Sequence, residues 1–188
     1  MGDNKQKATI NIVDPKTVKI MVAIPCLDTI KAETTISLIG YSKNTVYPNQ
    51  IKTQRNTYTH CARNALTDSA LKLGATHLMF VDSDMSFPQF GIDVLVNLNL
   101  DIVGSVYFRR MGELNPIILE RKDNKLHDMF SWPREKLFEV DAVGTGFMLI
   151  KTSVLKKMTP PYFYFGKPED FGMEKGVYPN NEVGEDVT

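Results

Sequence analysis

Asp82 and Asp84, separated only by Ser83, follow directly on the apolar run Leu78-Met79-Phe80-Val81. Carboxylates avoid the interior of a buried strand but are common where a strand of an open α/β sheet runs out. Ligands bind at that same edge. Two carboxylates at this spacing can share a hard divalent cation whose other positions are filled by phosphate oxygens. The bare Asp-x-Asp pattern is weak, since it recurs by chance in a chain with 22 acidic residues. Its position after a strand gives it weight.

Further residues could complete such a site. Asp28 stands just past a first apolar run, with a helix N-cap or turn role as the plainer reading. Arg63 falls in the first turns of a predicted helix, where a guanidinium and exposed backbone N–H groups can grip phosphate together. The plainer reading is a surface arginine on an amphipathic helix. Arg109-Arg110 follows another strand end and is either a cleft pair or a solvated one. Gly144-Thr145-Gly146 interrupts an apolar run, as glycines do where a strand bulges or a backbone approaches a ligand. It lacks the spacing of a dinucleotide or P-loop fingerprint. Glu185-Asp186, near the end of the chain, is a second acidic pair or a solvated tail. His60, His77 and His127 have no metal-ligand spacing. Trp132 beside Pro133 reads as a loop anchor or a sugar contact.

The elements that must position these residues alternate. Residues 18–25 read as a buried strand closed by Pro25. Ala32 to about Lys43 reads as a helix with Ile36, Leu38 and Ile39 near helical spacing. Gln50 to Thr53 reads as a short strand. Thr59 to Leu73 is the clearest helix, with Cys61, Ala62, Ala65, Leu66, Ala70 and Leu73 on one side and Gly74 as C-cap. His77 to Val81 is the next strand, Pro88 opens a helix through Leu98, and Asp101 to Tyr107 is another strand. This alternation predicts a mostly parallel central sheet flanked by helices. Beyond it, Pro116 to Glu120 and Val140 to Ile150 read as strands, with Arg121 to Lys136 a hairpin or loop between them. Thr152 to Met158 reads as a short helix and Tyr162 to Phe165 as an aromatic strand.

Composition narrows the classes. A length of 188 residues with 43% hydrophobic and 23% charged positions suits one soluble globular domain. Twenty-two basic and 22 acidic residues cancel, so no broad nucleic-acid surface is expected. Cys26 and Cys61 form neither a disulfide framework nor a zinc signature, which points to a reducing cytoplasm. No apolar stretch reaches the ~20 residues of a membrane span. Residues 1–17 read as a polar tail lacking a signal-peptide core, and 18–188 as a single domain. The finish at Gly184-Glu185-Asp186-Val187-Thr188 suggests either a natural continuation or a frayed terminus.

Taken in order, Ile20-Met21-Val22-Ala23-Ile24-Pro25, Ala62-Arg63-Asn64-Ala65-Leu66, Met79-Phe80-Val81-Asp82-Ser83-Asp84-Met85, Asp101-Ile102-Val103-Gly104-Ser105-Val106-Tyr107, Val140 to Met148 and Gly184-Glu185-Asp186-Val187 form a series. This series resembles the GT-A glycosyltransferases, especially family 2-like enzymes of phage and bacterial type. The resemblance implies a Rossmann-like GT-A fold, truncated at its C-terminus, with a nucleotide-binding half at 18–107 and an acceptor-side half at 108–188. It implies a hexosyltransferase-type enzyme that moves a sugar from a nucleotide-sugar donor, UDP- or GDP-linked, to a saccharide or other hydroxyl acceptor. Mn²⁺ or Mg²⁺ would hold the diphosphate, in a bacterial or phage-infected host cytoplasm.

In residue terms, the resemblance gives Asp84 as metal ligand and Asp82 as its partner at the ribose or metal, with Ser83 between them. Pro25 to Asp28 would meet the base and Arg63 the diphosphate. Gly144, Thr145 and Gly146 would line the donor-sugar and acceptor site. Asp186, paired with Glu185, would be the general base of an inverting reaction; inverting and retaining outcomes both stay open. The alternatives are a catalytically incomplete sugar-nucleotide or carbohydrate binding module, or a nucleotidyltransferase. The latter needs a Gly-rich basic loop after the first strand, and Cys26-Leu27-Asp28-Thr29 is not one.

Overall fold

Ile20–Pro25 form strand β1, and all six positions are buried. A strand hidden on both faces needs helices on both sides, and the alternation that follows supplies them. In the computed structural model, which describes residues 12–109, 115–123 and 125–164, β1 leads to helix α1 (Ala32–Asn44), β2 (Asn49–Gln54) and α2 (Thr59–Leu73). Then come β3 (His77–Val81), α3 (Gly91–Asn97) and β4 (Ile102–Gly104). A hairpin of β5 (Ile118–Lys122) and β6 (Lys125–Asp128), the short β7 (Ala142–Val143), β8 (Phe147–Lys151) and α4 (Thr152–Leu155) complete the described chain.

The main sheet has five strands in the order β2-β1-β3-β8-β4. β1 pairs in parallel with both β2 and β3. β8 runs antiparallel to β3 and to β4, with Val81 opposite Phe147 and Gly104 opposite Met148. Four strands therefore point one way and β8 alone points back. A second sheet, β6-β5-β7, is built by the excursion between β4 and β8.

Alternate residues of the central strands feed two cores. Ile20, Val22, Ile24, Met79 and Val81 pack with Leu38 and Tyr41 of α1 and with Ile92, Leu95 and Val96 of α3. Met21, Ala23, Leu78 and Phe80 pack with Leu66 and Ala70 of α2 and with Leu155 of α4. This period-2 division lets one sheet carry helices on both faces. Gly74 closes α2 in the left-handed region at φ 68°, its N–H reaching the carbonyls of Ala70 and Leu71. Glycine takes that conformation without a Cβ clash.

Several expectations are corrected. On α1 the buried residues are Thr34, Ser37, Leu38 and Tyr41, whereas Ile36 and Ile39 are exposed. On α2, Arg63 and Thr67 are buried in place of Cys61 and Ala65, which face solvent. Val140 to Ile150 is not one strand: the Gly144-Thr145-Gly146 break sends β7 and β8 to different sheets. Residues 162–164 form no strand; Tyr162 and Phe163 instead pack into the α2-side core. Of the expected N-terminal tail, the described part is attached, with the Val13 N–H donating to Asn97 Oδ1 at 2.9 Å. No helix among the described residues is long and apolar enough to cross a membrane.

Candidate functional site

The parallel strands β1, β2 and β3 end at Pro25, Gln54 and Val81. The loops leaving those ends meet the first turn of α2 around a cleft of about 790 Å³. Its walls are Pro25, Cys26 and Leu27 after β1, Asn56, Thr57 and Tyr58 after β2, and Asp82, Ser83 and Asp84 after β3, with Thr59, Ala62 and Arg63 of α2. A crevice beyond the carboxyl ends of parallel strands is where open α/β sheets bind ligands.

Arg63 is the key side chain of the wall. It is 1% exposed, and its Nη2 donates to Asp82 Oδ1 at 2.9 Å. Burial of a guanidinium is costly unless it is paired and hydrogen-bonded, and Asp82, about one-third exposed, supplies that partner. The guanidinium carbon also lies 6.0 Å from the centre of the Phe80 ring, a cation–π distance. The turn holding Asp84 is fixed through backbone. The Met85 N–H donates to Asp82 O at 3.0 Å, and Ser83 O accepts from the Lys31 N–H at 2.8 Å and the Thr34 hydroxyl at 3.1 Å.

Because β8 runs backwards, its first residues lie at the edge where the parallel strands finish. This brings Gly144-Thr145-Gly146 behind Asp82, whose N–H donates to Gly146 O at 2.9 Å. The Gly146 N–H donates to the Tyr107 hydroxyl at 2.7 Å. A Cβ on Gly146 would stand 2.7 Å from both Asp82 Oδ2 and the Tyr107 hydroxyl, and one on Gly144 would overlap that hydroxyl and Ile117. Both glycines thus leave room for the Tyr107 ring, and Gly146 also for the Asp82 carboxylate. Thr145 between them is 2% exposed.

The remaining predicted residues divide. Asp28 is exposed, accepts a 3.2 Å bond from the Thr29 hydroxyl, and is not on the cleft wall. Glu185, Asp186 and Arg110 lie outside the described residues. His77 opens β3, at the end opposite the cleft. Cys26 and Cys61 are both free thiols.

Sequence reasoning missed Asn56 to Tyr58 and Tyr107. The first group could have been found, since the carboxyl-edge logic applied to β3 holds equally for β2. Tyr58 is 79% exposed, and its ring stacks near-parallel to His60, with centroids 5.9 Å apart and planes at 14°. Tyr107 carried no local signal, because only the β4–β8 pairing takes it to the glycines.

No protein-family profile and no curated protein sequence matches the chain. Among solved structures, that of A197 from STIV resembles it with a TM-score of 0.54 at 22% identity, over 78% of this chain and 71% of that one. The likeness is one of fold: a mixed α/β domain with a mostly parallel sheet between helices.

Proposed function

We propose that the chain is a metal-dependent glycosyltransferase of the GT-A type, moving a sugar from a nucleotide-sugar donor to a hydroxyl acceptor in the cytoplasm of a bacterium or a phage-infected host. Residues 18–107 would form the nucleotide-binding half and 108–188 the acceptor side. One observation carries this reading: the Arg63–Asp82 pair and Asp84 share the wall of a cleft at the carboxyl end of the central strand β3.

The donor set fits a cation shared with the substrate. Among the described residues no group of three or more His, Cys, Asp or Glu could hold a metal, so an all-protein cage is not the expectation. Mg²⁺ and Mn²⁺ at a diphosphate need only one or two carboxylates, the rest coming from phosphate oxygens and water. Asp84 is the direct ligand in this reading, while Asp82, already engaged by Arg63, orients the turn and is the second ligand or ribose partner. When bound, the cation offsets the charge that gathers on the departing nucleoside diphosphate. The chain's own part is to hold that diphosphate against Ser83 and the buried charge of Arg63, with Pro25 to Leu27 and the exposed Tyr58 ring flanking the base. Gly144 to Gly146 backs the sugar side, and Asp186 with Glu185 is the proposed base.

Calorimetric titration of UDP and GDP, each with and without Mn²⁺, tests the proposal. At least one should bind only with metal, and Asp84→Ala should weaken that binding by at least about tenfold, or about 1.4 kcal/mol. If neither nucleotide binds with metal, or Asp84→Ala leaves the affinity unchanged, the reading fails.

A further inference from the structure

Single exposed apolar residues are ordinary, but aromatic rings in mutual contact outside both hydrophobic cores form a patch rather than a scatter. Phe108 is 46% exposed and Phe130 is 65% exposed, and Trp132 is half-buried. None of them belongs to the two clusters of buried residues that sandwich the main sheet. The rings of Phe108 and Trp132 are nevertheless in contact, with centroids 6.1 Å apart and planes at 50°. Next to them, Arg109 Nη2 donates to Asp128 Oδ1 at 3.2 Å, and the Arg109 side chain is 45% exposed.

Both contacts join the same two segments, 108–109 and 128–132. The backbone fixes those segments: Phe108 bridges to Pro116, Arg109 N–H donates to Asn115 O at 2.9 Å, and Met129 N–H donates to Ile118 O at 3.0 Å. The neighbouring residue, Tyr107, receives the Gly146 N–H behind Asp82. The aromatic pair is therefore one residue along the chain from a side chain that packs against the acidic turn.

We propose that this face, made by Phe108 and Trp132 with the Arg109–Asp128 pair at its side, binds a pyranose ring of the saccharide acceptor. The inference rests on the glycosyl-transfer reading above. A pyranose presents an apolar C–H face and a rim of hydroxyls that both donate and accept. An aromatic platform matches the first. A guanidinium, which only donates, beside a carboxylate, which only accepts, matches the second. A protein partner would ask instead for a broader apolar patch with few charges at its centre.

Trp132 is the single tryptophan of the chain, so its emission reports this face alone. The experiment titrates the full chain with the methyl glycosides of glucose, galactose, mannose and N-acetylglucosamine and with their β- and α-linked trisaccharides. At least one should shift or quench the emission saturably. Phe108→Ala should weaken that binding by about tenfold, the loss expected for one aromatic contact. Arg109→Gln provides a second variant should the first fail to fold, and should weaken it as well. The inference is overturned if no saccharide perturbs Trp132, or if the folded variants bind as the parent does. A parallel titration with UDP or GDP and Mn²⁺ keeps the two proposals apart. Nucleotide binding without any saccharide response rejects the platform alone, and a saccharide response without nucleotide binding rejects the transferase reading.

Discussion

Arg63 heads the fully buried side chains by volume, and its ion pair with Asp82 bridges the interior and the cleft wall. Removing one partner of such a pair leaves the other poorly compensated, at about 3–5 kcal/mol when both are fully buried. Asp82 is about one-third exposed, so Arg63→Met should cost less, about 2 kcal/mol, measured by urea unfolding. Arg63→Lys should recover only part, because an ammonium lacks the planar fork. A loss below about 0.5 kcal/mol for Arg63→Met would mean that the pair behaves like a surface ion pair. Gly146→Ala probes the same place by volume. Its methyl would press on Asp82 and the Tyr107 hydroxyl, and overpacking of this kind costs about 1–3 kcal/mol. Unchanged stability would show that Tyr107 swings aside freely.

At the scale of elements, β3 leads into the acidic turn at one end and holds a titrating group at the other. Burial, and then the nearby Lys151 charge, hold the His77 imidazole below its ordinary value of 6.5. The unfolded chain therefore takes up a proton before the folded protein does. Between 6.5 and the lower folded value the unfolded state holds more protons, so stability rises with pH in that window and levels off above it. Asp93, raised by burial, contributes an opposite slope above the usual aspartate range, so comparison with a variant isolates the histidine. His77→Gln should flatten the stability loss on acidification below about pH 6.5 in denaturation curves. An identical slope in the variant would remove His77 as the cause.

The buried strand expected over 101–107 shrinks to Ile102–Gly104, with Val103 alone buried, but most elements up to β4 were legible because each is a local pattern: a buried run, a helical stripe, a Gly74 cap. The insertion of β8 between β3 and β4 was not, because antiparallel pairing of Phe147–Lys151 with both neighbours is a long-range choice that no local period encodes. The same limit hid the function of the glycines, which depends on Tyr107 arriving from β4. It also misassigned one face of α2, where Arg63 and Thr67 break the apolar stripe yet lie inside. A buried arginine reads as surface until its carboxylate partner is known.

Across the whole molecule, stability should be graded from the centre outward. β1 and β3 are buried along their full length and are covered by helices on both faces, whereas β5 is buried only at its first residues. Native-state hydrogen exchange should follow this order. Amides of Ile20–Ile24 and His77–Val81 should exchange only on global unfolding, and those of the β5–β6 hairpin faster and at lower opening free energy. Equal protection in both sheets would show that the small sheet folds as one cooperative unit with the large one.

The excursion that builds the small sheet leaves the main sheet after Gly104 and returns at Phe147, and the Ser105 N–H donates to the Phe147 carbonyl at 3.1 Å. Its two ends are thus closed on each other by the β4–β8 ladder, and loop-closure entropy changes only slowly with the length of chain between such ends. Insertions in the β5–β6 hairpin should therefore cost little, provided that Tyr107 and Gly144 to Gly146, which lie inside the excursion and pack beneath Asp82, are kept. The excursion is thus divided: its outer hairpin has room to vary in length, while its two ends are tied to the acidic turn.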